Sequence, residues 1–414
     1  MYAREIYGMM MAGALFLMTG CSTDDVVKET TSEEPIAISF SCNYDGEPEQ
    51  PTRAGHEGVM NTEDLYATGF GVMASVTADK VPNMMYNQEV EFTFVGDMGL
   101  SNPADPKSDT LRGYWSYSPL KYWPTGLTAE SNFYISAYAP YVELPVANAG
   151  TTTGIYGISK NSYAPYVDYR RCEKPDKMVD LLWYYEKPTT IPAKTAKQAA
   201  GTLAMKMHHA LARLEIKVAL ATDPGTTKVL IEKITLKGKM AKTGRLHLYE
   251  QTTEGSGNDI KYYPVWSNQV FDKDESDVDT DHKFEITNID NDTKSYGIID
   301  SQVRYIEGLP YDWQPKGLKK YTPPIDAKNN GMQNALSTGD RVGYIYLIPQ
   351  DELELTVEVK YHQMTSGSHK KTTTSSTVHI PPKPSEEAPY PPLKGNTTYT
   401  LNLTLKEIEE KNNS

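Results

Sequence analysis

Several things are scarce in this chain, and each shortage closes off a class of protein. Basic charge is in deficit: 41 Lys and Arg stand against 54 Asp and Glu, a net charge of −13 with a pI near 5.2. That balance argues against a nucleic-acid groove and against a basic membrane-surface patch. Long runs with a 3.6-residue apolar period are missing apart from the extreme N-terminus, which argues against a helical enzyme. The motifs of catalysis are missing too. There is no HExxH, no Walker-type glycine loop, no nucleophile elbow and no CxxC pair. No enzymatic activity and no cofactor are expected. Asp277, Asp279, Asp281 and Glu285 hint at calcium, but the glycine that an EF-hand loop needs at its sixth position is absent, so a solvated acidic loop is expected. His208 and His209 are sequence neighbours, and neighbours in a strand point apart, so they read as a strand-end pair and not as metal ligands. Cysteine is limited to three residues, Cys21, Cys42 and Cys172.

What is present points to β structure. Tyr (29), Pro (27) and Gly (29) are frequent, and the apolar residues fall in many short alternating runs. This pattern predicts an all-β sandwich architecture. At 414 residues the chain is too long for one core, so two domains are expected. The organising stretch is Leu203 to Leu220. Leu203, Met205 and Met207 alternate in one phase; after His208-His209-Ala210-Leu211 the apolar set moves to Ala212, Leu214, Ile216, Val218 and Leu220. A phase change inside a period-2 run predicts a bulge or break near His208. The stretch is expected to close the first domain, just before the second begins.

The N-terminus reads as an export signal over residues 1–20. Arg4 supplies the positive region, and Met9 to Met18 form an apolar stretch too short to remain as a spanning helix. Leu17-Met18-Thr19-Gly20-Cys21 resembles a bacterial lipoprotein processing site, which makes Cys21 the expected point of acylation; acyl chains there would anchor the precursor to a membrane. Ser22-Thr23-Asp24-Asp25 resembles the acidic signal that sends some lipoproteins to the outer face of the outer membrane. With Cys21 lipidated, Cys42 and Cys172 remain, and an exported chain permits a disulfide between them without requiring one.

Residues 21–35 read as a polar tether. The first domain is expected over 36–222 and the second over 223–414. Ile36, Ile38 and Phe40 alternate within a strand running to Cys42. The Pro-rich stretch behind it carries Arg53-Ala54 in a flexible, protease-accessible setting. Further strands are expected over Leu65–Val76 and Val90–Val95, with a Tyr- and Gly-rich loop over 150–170. The aromatic block from Tyr114 to Tyr141 admits two readings. It could form a stacking platform for sugar rings, or a sandwich core whose hydroxyls reach the edge. The alternation of Phe133, Ile135 and Ala137 favours the core, and exposure of Trp115 and Trp123 would favour the platform. In the second half, Leu353 to Tyr361 and Tyr399 to Leu405 alternate cleanly. Short strands are expected around Ile234–Leu236, Leu246–Tyr249 and Val342–Ile348, with loops over Gly255–Asn258 and Asp272–His282.

Several of these pieces together resemble the fimbrillin superfamily, the Mfa-like and FimA-like proteins of type V pili. They are the lipoprotein signal, one N-terminal strand, Thr52-Arg53-Ala54, Tyr122-Trp123-Pro124, Tyr138-Ala139-Pro140, His209-Ala210-Leu211-Ala212-Arg213-Leu214 and Tyr399-Thr400-Leu401-Asn402-Leu403. The resemblance implies two tandem transthyretin-like β-sandwich domains and a role in building or decorating cell-surface fimbriae. It also implies a mechanism. A protease cuts after Arg53, leaving Ala54 as the new N-terminus. The strand carrying Ile36, Ile38 and Phe40 is displaced, and another subunit's strand takes its place. The partners implied are other pilus subunits, with a glycan or protein ligand if the protein is adhesive. About nine residues follow Leu405, too few at ~3.3 Å per residue to serve as a donor strand, so a tip or minor subunit is expected. The alternatives are a surface glycan-binding lipoprotein and a lipid-anchored base subunit that keeps its first strand.

Overall fold

A computed structural model describes residues 36–44, 60, 62–76, 81–94, 113–124, 132–145, 153–172, 178–190, 202–220, 228–256, 260–271, 282–287, 333–334, 344–365 and 368–405. The chain opens with β1 (Ser39–Tyr44), a short helix α1 (Thr62–Thr68), β2 (Phe70–Val76), β3 (Val81–Phe94), β4 (Gly113–Ser116) and β5 (Asn132–Ala139). It continues with β6 (Ile155–Ile158), β7 (Tyr166–Arg170), β8 (Leu182–Thr190), β9 (Thr202–His209) and β10 (Ala212–Leu220). Next come β11 (Lys228–Gly238), β12 (Ala241–Glu254), β13 (Lys261–Phe271), β14 (His282–Thr287) and β15 (Gln333–Asn334). The last strands are β16 (Ile345–Leu347), β17 (Glu354–Thr365), β18 (Ser368–His379) and β19 (Thr397–Leu405). The all-β class follows, and the residues from Ile36 onward form one compact unit.

Seven strands make the first sheet, in the order β1-β9-β8-β5-β2-β3-β4. Its inner face carries a core of Ile38, Phe40, Phe70, Val72, Phe133, Ile135, Leu203, Met205 and Met207 among others. Three smaller sheets follow: β14-β11-β17-β18, β13-β12-β7-β6, and β15-β10-β16 with β19 on the other side of β10. A second core runs beneath them through Leu214, Ile216, Leu236, Leu246, Leu355, Val357 and Leu401. The β13-β12-β7-β6 sheet and this core both draw on residues from the two sides of residue 222.

The break in the organising stretch lies where the alternation changes phase. Leu203, Met205 and Met207 are buried in β9, Ala210 and Leu211 are buried between the strands, and Leu214 and Ile216 are buried in β10. The two halves enter different sheets. β10 pairs with β16 and β19, so the second half leads the C-terminal strands instead of closing the N-terminal sheet.

Other expectations shift. Leu65 to Thr68 is helical, and the strand begins only at Phe70. The chain turns from helix to strand at Gly69, whose φ of 63° suits glycine and whose N–H closes the helix on the Leu65 carbonyl at 3.0 Å. A side chain there would also meet the Val90 carbonyl oxygen at 2.7 Å. The strand around Val90 is the second half of the longer β3, and its pairing with β2 shifts register where Asn87 takes a positive φ. The 150–170 loop contains two strands, β6 and β7, and β7 joins β12. Two long strands went unforeseen, β13 and β18. The alternating run from Leu353 is as expected: Leu355, Val357, Val359 and Tyr361 are buried.

Candidate functional site

The candidate site is the seat of β1. Ile38, Phe40 and Cys42 are spaced two apart, so an extended chain turns all three side chains to one face. All three are buried, while Ser41 is exposed. The expectation for Ile36 fails, since it is 43% exposed and precedes the strand. Its chain role is in the backbone: the Ile36 carbonyl accepts from the Trp123 N–H at 2.9 Å, and the Ile38 N–H donates to the Lys121 carbonyl at 2.9 Å. That bridge places Ala37 opposite Tyr122.

From Ser39 onward the other edge takes over. β1 runs parallel to β9, from Ser39 opposite Thr202 to Tyr44 opposite Met207. The Ser39 and Thr202 hydroxyls lie 2.7 Å apart. The Tyr117 hydroxyl donates to the Ile38 carbonyl at 2.8 Å. β1 therefore lies between β9 and the segment that follows β4. The Phe40 ring meets Phe70 edge-on at 5.9 Å and Tyr117 at 5.4 Å. Burial pushes the Cys42 thiol well above the usual range, which keeps it protonated and unreactive.

The energetics divide by part. Net backbone hydrogen bonds contribute only about 1 kcal/mol each, whereas burying a large apolar side chain contributes about 1.5–3 kcal/mol. Ile38 and Phe40 thus each contribute more than any single rung of the ladder does. Taking β1 away would uncover the edge of β9 and an apolar slot beside Phe70 and Tyr117, a shape that fits another extended chain.

Cys21, Arg53 and Ala54 lie outside the described residues, as do Asp277, Asp279 and Asp281; Glu285 falls in β14. The segment carrying Arg53 leads from β1 to Met60, which is buried and whose N–H donates to Asp180 Oδ2 at 3.4 Å. Cys42 and Cys172 are both free and belong to different cores. Among the described residues no group of three His, Cys, Asp or Glu gathers in a metal-binding arrangement.

His208 and His209 end β9 as a buried pair. His209 Nδ1 sits 2.5 Å from Asp180 Oδ2, and both residues are essentially without solvent exposure. The other His209 nitrogen faces Arg213 Nη1 at 3.2 Å. Asp180 Oδ1 accepts from the Leu181 N–H at 2.9 Å. This polar knot ties the β9–β10 break to the segment before β8. Sequence reading missed Asp180, because a single acid in an apolar run gives no sign of a partner 29 positions away.

The aromatic block is mainly core. Trp123 is buried against Phe133 at 5.2 Å. Trp115 is half-buried, with Phe70 at 4.8 Å and Phe92 at 5.1 Å, and Tyr66 stacks on Phe92 at 3.9 Å. Tyr114 and Tyr122 are the exposed members.

The far end of the chain mirrors β1. β19 runs parallel to β10 from Ala212 opposite Thr397 to Leu220 opposite Leu405. The two halves of the organising stretch thus each carry one terminal strand in parallel.

No protein-family model matches the chain, and no curated protein matches it by sequence. Among solved structures it is similar to a fimbrial protein from Bacteroides vulgatus, with a TM-score of 0.47 and 17% identity, over 89% of this chain and 95% of that one. It is also similar to the fimbrial anchor protein Mfa2 from Porphyromonas gingivalis, with a TM-score of 0.22 and 11% identity, over 57% of this chain and 76% of that one.

Proposed function

We propose that this protein is a cell-surface fimbrial subunit whose first strand is a removable plug. The observation that carries the reading is the seating of β1. It is a short strand at the start of the described chain, in parallel pairing with β9, with Phe40 inserted between Phe70 and Tyr117. A cut after Arg53 would separate the strand covalently from the rest of the fold. Both thiols being free leaves no disulfide to retain it. The emptied seat would then accept a strand from another pilus subunit, with alternate side chains filling the positions of Ile38, Phe40 and Cys42. In the precursor, acylated Cys21 would tether the chain to the outer membrane until the cut.

A tip or minor position fits the use of β19, which is paired along its whole length with β10 inside its own fold. The glycan-binding alternative loses its main support, since Trp123 is buried and Trp115 half-buried. A base subunit that keeps β1 remains the competing position, and one experiment separates the two. Surface material is collected and its N-terminus sequenced, and purified protein is nicked with an arginine-specific protease and mixed with stalk subunits. Ala54 at the N-terminus, loss of residues 36–44 on nicking and one-to-one capping support the proposal. An intact N-terminus at Cys21, or nicked protein that keeps β1 under stalk challenge, overturns removal of the plug and assigns the base. Incorporation of several copies per polymer overturns the tip position.

A further inference from the structure

At 12 residues β18 is the longest strand at a sheet edge among the described residues. Its outer row of backbone N–H and C=O groups meets no strand among them. Monomeric proteins blunt such edges with charged side chains, lysine above all, or with proline, bulges or inward charge. β18 has no proline, and its register with β17 runs unshifted from Glu354 opposite His379 to Thr365 opposite Ser368. Residues 373–377, Thr-Thr-Ser-Ser-Thr, are exposed along the edge, and threonine favours the extended state. The only charges on its described side chains other than His379 are Lys370 and Lys371, both exposed and at one end.

We propose that this edge is a self-association surface, on which the β18 of a second copy pairs antiparallel about Thr373. The argument is charge and parity. In a two-fold antiparallel pair, opposite residues point to the same face. Centring on Thr373 sets Lys371 opposite the second copy's Ser375. Ser375 is directly paired with Glu358 on β17, so each lysine points toward a carboxylate one strand beyond its partner. Glu358 lies 3.6 Å from Lys360 on that face, and the incoming lysine brings a second cation to this carboxylate, while Glu354 at the far end is held by His379 at 2.8 Å. The match occurs twice by symmetry. Parallel self-pairing would instead set Lys370 and Lys371 beside their own copies, which is unfavourable. The result is one continuous eight-stranded sheet across two molecules, joined by threonine and serine pairs.

The test is by cross-link and sedimentation. In the antiparallel pair the two copies of residue 373 face each other at about 4.5–5.5 Å between Cα atoms, within the ~4.4–6.8 Å span of a disulfide. Thr373→Cys should give a disulfide-linked dimer under mild oxidation. Thr377→Cys, whose copies lie about 27 Å apart, should not. In sedimentation equilibrium the unaltered protein should dimerise reversibly. Lys371→Glu should weaken the dimer about tenfold, and Lys371→Glu combined with Glu358→Lys should restore it. A strictly monomeric protein overturns the proposal. So does equal cross-linking at 373 and 377, or a dimer indifferent to the charge reversals. An edge occupied only by a strand from a different protein overturns it as well.

Discussion

Phe40→Ala tests how β1 is held. The Phe40 ring is 6% exposed and packs on Phe70 and Tyr117. A buried phenylalanine removes about 150–200 Å² from water, which at about 25 cal/mol per Å² amounts to about 4–5 kcal/mol. Measured truncations of buried aromatic residues cost about 3–5 kcal/mol, because part of the transfer loss is offset by relaxation and part is added by the cavity. A loss of about 3–5 kcal/mol is therefore expected in the uncut chain, a large share of the about 5–15 kcal/mol that holds a typical domain folded. Urea unfolding followed by tryptophan fluorescence reads it, since Trp123 and Trp115 report on the same core. Ser41→Ala, at an exposed position of the same strand, should move the midpoint by no more than about 0.5 kcal/mol. Once the chain is cut and β1 has left, Phe40→Ala should have no effect on what remains. An unchanged midpoint in uncut Phe40→Ala protein would refute the account of β1 as a core strand. An equal loss before and after release would refute its removability.

Three further outcomes follow from the same geometry. Asp180→Ala leaves His209 without its carboxylate and the Met60 and Leu181 N–H groups without an acceptor; it should lower stability by about 3–5 kcal/mol in thermal or urea unfolding, and a loss under about 1 kcal/mol would count against the knot. Burial raises the Tyr184 hydroxyl to about 12, above the ordinary tyrosine value of about 10, and also raises Tyr138 and Tyr169. A group with a raised folded pKa contributes stability that is complete below its unfolded value and is lost as pH climbs through the folded one. Stability should therefore hold to about pH 10 and fall from there through about 12, and normal titration of all tyrosines in folded protein would contradict this. A thiol reagent should modify half-buried Cys172 before buried Cys42, and in material that retains β1 the Cys42 reaction should track unfolding; comparable rates for both thiols in folded protein would place Cys42 outside the core.

Where side chains alternate between water and a core, local order and strand type were readable from the residues alone. The phase change around His208 marked the break between β9 and β10. Leu353 to Tyr361 marked β17, and Tyr399 to Leu405 marked β19. The expected seat of Ile38 and Phe40 was legible for the same reason, whereas Ile36 is held only through its backbone carbonyl on the Trp123 N–H and leaves its side chain outside the core. Strands without that alternation left no trace. β18 has exposed serine and threonine on both faces, and β6 and β7 lie in tyrosine-rich sequence that reads as loop. The α1 helix spans seven residues, too short for its period to stand out beside β2. Partners were beyond reach in every case. Strand pairing joins backbones far apart in the chain, and backbone groups are nearly the same in every residue. The sequence by itself therefore determined only the extended stretches whose side chains alternate and, Ile36 apart, the faces they turn inward. Only the tertiary structure decided that the first and last described strands lie parallel to the two halves of one central stretch, that β7 crosses to β12, and that Asp180 meets His209.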